Sequence, residues 1–135
     1  MTLEPTEYYA SQFGGIARLY GEEAAEKIRQ AHVCVVGVGG VGSWSVEALA
    51  RSGVGQITLI DHDEIAASNM NRQLHTLHST IGQSKVAVLA ERVADINAEC
   101  QVNSIEDLIT LDTLEKYITS EFDVVIDAID IIKFK

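Results

Sequence analysis

Val33-Cys34-Val35-Val36-Gly37-Val38-Gly39-Gly40-Val41-Gly42 is the stretch that decides the fold. Four apolar residues run into a cluster of glycines, and a segment of helical composition follows. The reading is strand, glycine turn, helix. Such a turn lets backbone N–H groups approach a nucleotide phosphate, which then sits at the positive N-terminus of the helix. Gly37, Gly39 and Gly42 satisfy the dinucleotide fingerprint, and Gly40 doubles the central glycine.

The next apolar run, Gln56 to Asp61, is the second strand. Asp61 closes it, where a carboxylate accepts hydrogen bonds from ribose hydroxyls. NAD, FAD and ATP all carry an adenosine ribose, so these features alone leave the nucleotide open. Residues 62–83 form a long polar connection, and loops of that length in a small domain usually serve function. It contains Asn69, Asn71, Arg72 and Gln73, and ends in Gly82-Gln83-Ser84-Lys85. The two phosphates of NAD are served by backbone N–H groups. A triphosphate carries more charge and calls for cations: Arg72 suits bidentate phosphate contact, and Lys85 suits a point charge at a helix start. Asp127 and Asp130 close the fourth strand. Asp130, at the very end, is placed to hold Mg²⁺ against a triphosphate, and Asp127 to cap or orient.

The remaining chain fits around this core. Residues 1–15 read as an irregular arm broken by Gly14-Gly15, and Ile16 to Gln30 as helix, interrupted or started near Gly21. The division expected is an N-terminal arm and helix over 1–31 and a Rossmann-like ATP-binding domain over 32–135. After the glycine turn, a helix over Val41 to Arg51 lines its inner side with Val41, Ser45, Ala48 and Leu49. Further helices are expected over Ser84 to Ile96 and Leu111 to Thr119, with strands over Gln101 to Ile105 and Asp123 to Ala128. Strand–helix alternation predicts a doubly wound parallel sheet in the order 3-2-1-4. Trp44 reads as core or interface, the His75/His78 pair as loop surface, Cys34 as buried and Cys100 as a surface thiol.

Composition excludes several classes. The 135 residues are 47% hydrophobic with one proline, enough for a packed core. A net charge of −10 argues against nucleic-acid binding through a general basic surface. Two distant cysteines give neither a disulfide framework nor a zinc site. No apolar run approaches the roughly 18 residues of a membrane span, and the N-terminus lacks a signal pattern. A cytoplasmic location is expected.

The motifs Gly37-Val38-Gly39-Gly40-Val41-Gly42, Asp61-His62-Asp63, Ser68-Asn69-Met70-Asn71-Arg72-Gln73, Gly82-Gln83-Ser84-Lys85 and Asp127-Ala128-Ile129-Asp130 stand in one order. The series closely resembles the ubiquitin-activating-like adenylating family, the ThiF/MoeB/HesA group, over residues 12 to 130. Phe13-Gly14-Gly15-Ile16-Ala17-Arg18-Leu19-Tyr20-Gly21 and Gly42-Ser43-Trp44 look like the branch that dehydrates threonylcarbamoyladenosine of tRNA. The resemblance implies that Gly39 and Gly40 lie against ATP phosphates and Asp61 on the ribose, with Asp63 beside it. It implies that Asn69, Arg72 and Lys85 engage the triphosphate, and that Asp130 holds Mg²⁺. Arg18 matches an arm arginine that reaches the other subunit of a homodimer. Ile131 replaces the Asn or Ser usual after that aspartate. The implied activity is ATP-dependent activation of the nucleoside carboxylate as an adenylate, followed by cyclisation.

Three alternatives share some of these residues. One is an adenylyltransferase of a small sulfur-carrier protein ending in Gly-Gly, another an NAD(P)-dependent oxidoreductase, the third a non-catalytic nucleotide-binding module. The chain is expected to be the N-terminal part of a larger domain, inactive as a piece, with tRNA contacted through the rest.

Overall fold

The computed structural model describes residues 5–130. Four strands form one sheet in the order β3-β2-β1-β4: β1 (His32–Val36), β2 (Gln56–Ile60), β3 (Gln101–Ile105) and β4 (Val124–Asp127). Every pairing is parallel, with Val36 opposite Ile60 on one side and Asp127 on the other. This is the order and direction that the strand–helix alternation predicts.

The five residues of β1 are all buried, because the strand is central and covered on both faces. Side chains alternate across a strand. Val33 and Val35 accordingly join Ile57 and Leu59 under α3 (Gly42–Arg51) and α4 (Lys85–Ile96), which contribute Val46, Ala50, Val86, Leu89 and Val93. Cys34 and Val36 point to the other face, with Ile60 and Ile109. There α5 (Leu114–Tyr117) packs through Tyr117 and the adjoining Ile118. Burial pushes the Cys34 thiol up to about 11. Cys100 is also pushed up to about 11 by burial; it is half-buried against the core, not the surface thiol expected.

Three expectations need correction. The N-terminal arm is not irregular where it is described: α1 (Pro5–Tyr20) runs straight through Gly14-Gly15, and α2 (Glu22–Gln30) follows after Gly21 at φ +92°. Tertiary contact outweighs the two glycines. Tyr9 Oη donates to the Gly53 carbonyl at 2.6 Å, Phe13 is buried, and the Arg29 guanidinium stacks 4.1 Å over the Tyr9 ring. Arg29 is itself held by Glu99 at 2.7 Å. The inner face of α3 is Gly42, Ser43, Val46 and Ala50; Val41 and Ala48 are exposed. The helix is rotated by about one residue because Gly42, lacking a side chain, makes the close approach to the turn at Gly37. The fifth helix is shorter than Leu111 to Thr119, being confined to Leu114–Tyr117. No helix among the described residues is long and apolar enough to cross a membrane. Ile131 lies outside the described residues.

Candidate nucleotide site

All four strands end on one side, so the residues after each strand share one crevice. A cleft of about 410 Å³ opens there. It is lined by Gly37, Gly39, Gly40 and Val41 after β1, Asp61, His62 and Asp63 after β2, Asp107 to Ile109 after β3, and Ala128 to Asp130 after β4. Arg72, Gln73 and Lys85 complete it from the β2–α4 crossover.

The glycines divide into two kinds. Gly37 has φ +86°, and a Cβ on it would lie 2.9 Å from the Ala128 carbonyl oxygen. A Cβ on Gly42 would lie 1.7 Å from the Gly37 carbonyl oxygen. These two are glycine because the protein's own backbone leaves no room. Gly42 does not line the cleft; it packs the helix onto the turn. Gly39 and Gly40 face only the flexible side chains of Gln73 and Arg72, at 3.4 Å and 3.6 Å from a Cβ position. Their smallness is not required by packing and leaves space on the cleft side.

Asp61 binds the protein before any ligand. Its Oδ2 accepts from Val38 N at 2.9 Å and its Oδ1 from Asp63 N at 2.8 Å. Asp63 in turn faces His62 Nε2 at 3.2 Å and Lys85 Nζ at 3.7 Å. Asp61, His62 and Asp63 group three potential metal ligands within 4.8 Å, but Lys85 occupies the same carboxylate.

Lys85 is the first residue of α4 and is only 5% exposed. Burial opposes its charge, and the helix dipole opposes a cation at an N-terminus. The half-exposed Asp63 offsets this only in part. Lys85 thus lies at the start of α4 and on the cleft, where an anion would add a second countercharge. Ser84 caps the helix, its Oγ accepting from Ala87 N at 3.3 Å.

The crossover is a closed excursion rather than a free loop. Its ends meet through an antiparallel bridge between Glu64 and Ser84, with Ile65 N donating to Gln83 O at 2.8 Å. Within it, Arg72 is exposed and directs its guanidinium back onto Ser68 O and Asn71 Oδ1, each at 3.1 Å. His75 is buried, contrary to the loop-surface reading. Its Nε2–H donates to Val38 O at 2.8 Å, and Thr76 Oγ1 lies 3.3 Å from Nδ1. Burial holds its pKa below the ordinary imidazole value, with the Lys85 charge adding to the effect.

Besides Gly42, Asn69 does not line this cleft, and neither does Arg18, which was expected to reach a second subunit. Asn69 is buried and its Oδ1 accepts from Ala66 N at 2.9 Å, so it folds the 3-10 turn Ala67–Asn69. Arg18 sits exposed on α1, beside Gly14 and Gly15. Asp127 orients as expected, its Oδ1 accepting from Ile129 N at 3.1 Å. Asp107, Leu108 and Ile109 were missed by sequence reasoning. Hydrogen bonds from Tyr117 Oη at 2.6 Å and Leu108 N at 2.7 Å hold the Asp107 carboxyl below its usual range. The rule that loops after parallel strands open on one crevice would have found them.

The fold and cleft define a doubly wound parallel sheet with a crevice at its strand ends that carries Arg72 and Lys85. The chain belongs to the ThiF family, whose model matches residues 9–135. It is 54% identical over 127 residues to the tRNA threonylcarbamoyladenosine dehydratase of Haemophilus influenzae, covering 94% of this chain and 49% of that one. The structure of the E. coli tRNA N6-threonylcarbamoyladenosine dehydratase in complex with ATP matches with TM-score 0.91 and 48% identity, over 95% of this chain and 53% of that one. The molybdopterin-synthase adenylyltransferase of Salmonella typhimurium is 37% identical over 117 residues, covering 85% of this chain and 46% of that one. The chain thus spans about half the length of the curated relatives it matches.

Proposed function

We propose that this chain carries the ATP site of a tRNA threonylcarbamoyladenosine dehydratase. The supporting observation is the convergence of Gly39, Gly40, Arg72, Lys85 and Asp130 on one cleft at the strand ends. The similarity to dehydratases, one of them an ATP complex, gives the substrate class.

In this reading the adenosine ribose lies against Asp61, with Asp63 steering Lys85, and the phosphates lie over Gly39 and Gly40. Arg72 and Lys85 neutralise charge that grows on the α-phosphate and leaving pyrophosphate, the term that usually dominates such catalysis. The carboxylate of the modified nucleoside attacks the α-phosphorus. The bond to the bridging oxygen breaks, and pyrophosphate leaves with its electron pair. The carbamoyl group of the same side chain then attacks the activated carbonyl, loses a proton and expels AMP. The nucleoside at tRNA position 37 has by then lost one water.

Mg²⁺ fits the donor set. Asp130 is an exposed carboxylate on the cleft, a hard oxygen ligand, and Mg²⁺ commonly takes one or two carboxylates plus phosphate and water oxygens. Bound there, the ion supplies further neutralisation of phosphate charge.

Arg18, exposed and outside its own cleft, is assigned to the cleft of a second subunit in a homodimer. The acidic balance of the chain, −10, supports a tRNA-binding surface on other parts of the assembly. The location proposed is the cytoplasm.

The likeness to an adenylyltransferase motivates a second reading, activation of a small carrier protein with a Gly-Gly terminus. Pyrophosphate release assayed with modified tRNA and, separately, with carrier protein tells them apart. Release only with tRNA supports the first; release only with carrier protein replaces it with the second. Tight NADH binding without ATP binding would sink both.

A further inference from the structure

Packing does not explain Trp44. It is 54% exposed on the first turn of α3, outside the buried face of Gly42, Ser43, Val46 and Ala50. A large aromatic so placed gains little from burial. Its polar contact is specific instead: the indole Nε1–H donates to the Arg72 carbonyl at 2.8 Å. The preceding residue makes a matching contact, Ser43 Oγ accepting from Leu74 N at 3.2 Å while donating to Gly39 O. Two consecutive side chains of α3 therefore hold the crossover main chain on either side of Gln73.

The held segment carries the exposed cation of the cleft. Arg72 Cγ and Cδ pass 3.6 Å and 3.7 Å from the Cβ position of Gly40. Among the described residues, the guanidinium is tied only to its own loop, at Ser68 O and Asn71 Oδ1. Its place over the glycine turn thus depends on where the main chain of Arg72 is fixed.

We propose that Trp44 is a positioning residue for Arg72. Its indole N–H anchors the Arg72 carbonyl to α3 and so sets the guanidinium beside Gly40. The consequence for catalysis rests on the ATP reading of the cleft. Phenylalanine at this position keeps a ring and removes the donor, leaving Arg72 free to wander from the phosphates. The expected loss is roughly three- to tenfold in ATP affinity, the size set by one orienting hydrogen bond.

The experiment is a double-mutant cycle read by calorimetric ATP binding, with thermal midpoints measured alongside. Trp44→Phe should weaken ATP binding in the otherwise unchanged protein and leave the midpoint unchanged. In an Arg72→Ala background the same substitution should add nothing, because Trp44 acts through Arg72. Equal losses in both backgrounds, or no loss in either, overturn the proposal.

A nucleotide-free readout separates this idea from the ATP reading. Trp44 is the single tryptophan, so its indole N–H gives one resonance. Slow hydrogen exchange of that proton supports the anchor even if no ATP binds, in which case the ATP reading alone fails. Exchange at the rate of free indole rejects the anchor.

Discussion

The Asp61 carboxylate accepts the Val38 N–H at 2.9 Å, tying the end of β2 to the glycine turn after β1. The other oxygen takes Asp63 N. One side chain therefore shapes both the turn and the segment whose Asp63 faces Lys85. Asp61→Ala leaves two backbone donors without their acceptor and should cost about 1–3 kcal/mol in urea unfolding, together with ATP binding. Asp61→Asn keeps one acceptor and should lose about half as much stability. Full stability in the alanine variant would contradict this role.

The glycines should separate folding from binding. Gly42→Ala drives a methyl into the Gly37 carbonyl and should destabilise by about 3 kcal/mol or more. Gly40→Ala meets Arg72 only at ordinary contact distance and should fold within about 1 kcal/mol of the parent. Its ATP affinity should nonetheless fall by about tenfold or more as phosphate space is filled. Denaturation and calorimetry on the two variants check this. Intact binding in Gly40→Ala would remove the phosphates from that position.

Lys85→Met should trade function for stability. The thioether keeps an apolar stem and removes a buried cation at the N-terminus of α4. The thermal midpoint should hold or rise, by the equivalent of about 0.5–1 kcal/mol. AMP release should drop on the order of 100-fold. A large loss of stability would assign Lys85 to structure instead.

His75 makes stability depend on pH. Its folded pKa is lowered by burial, so the folded state favours the neutral ring. This contribution is complete above the unfolded value of about 6.5 and is lost as pH falls through the folded pKa. The thermal midpoint should therefore fall between about pH 7 and pH 5, and His75→Gln should flatten that part of the profile. A variant profile parallel to the parent's would show that other groups cause the slope.

Much of this fold was legible because it rests on local signals. The continuous apolar run of β1, the glycine turn and the strand–helix alternation lead directly to a parallel sheet in the order 3-2-1-4. The cleft residues Asp61, Arg72, Lys85 and Asp130 were legible through charge and position. What was illegible depends on partners distant in sequence. Gly14-Gly15 read as a break because Tyr9 meets Gly53, and Phe13 its own buried site, only after folding. His75 looked like surface because its acceptor, Val38 O, lies on the glycine turn. Asn69 looked like a phosphate ligand by motif, while its side chain is spent on Ala66 N. Trp44 carried no sign that its indole would hold Arg72.

The most direct test supplies the purified protein with ATP, Mg²⁺ and tRNA bearing threonylcarbamoyladenosine, and weighs the digested nucleosides by mass spectrometry. The account predicts a nucleoside lighter by one water, formed with AMP and pyrophosphate in equal amounts, and abolished by Arg72→Ala. An unchanged nucleoside, with ATP left intact or consumed only when a Gly-Gly carrier protein is present, would contradict it.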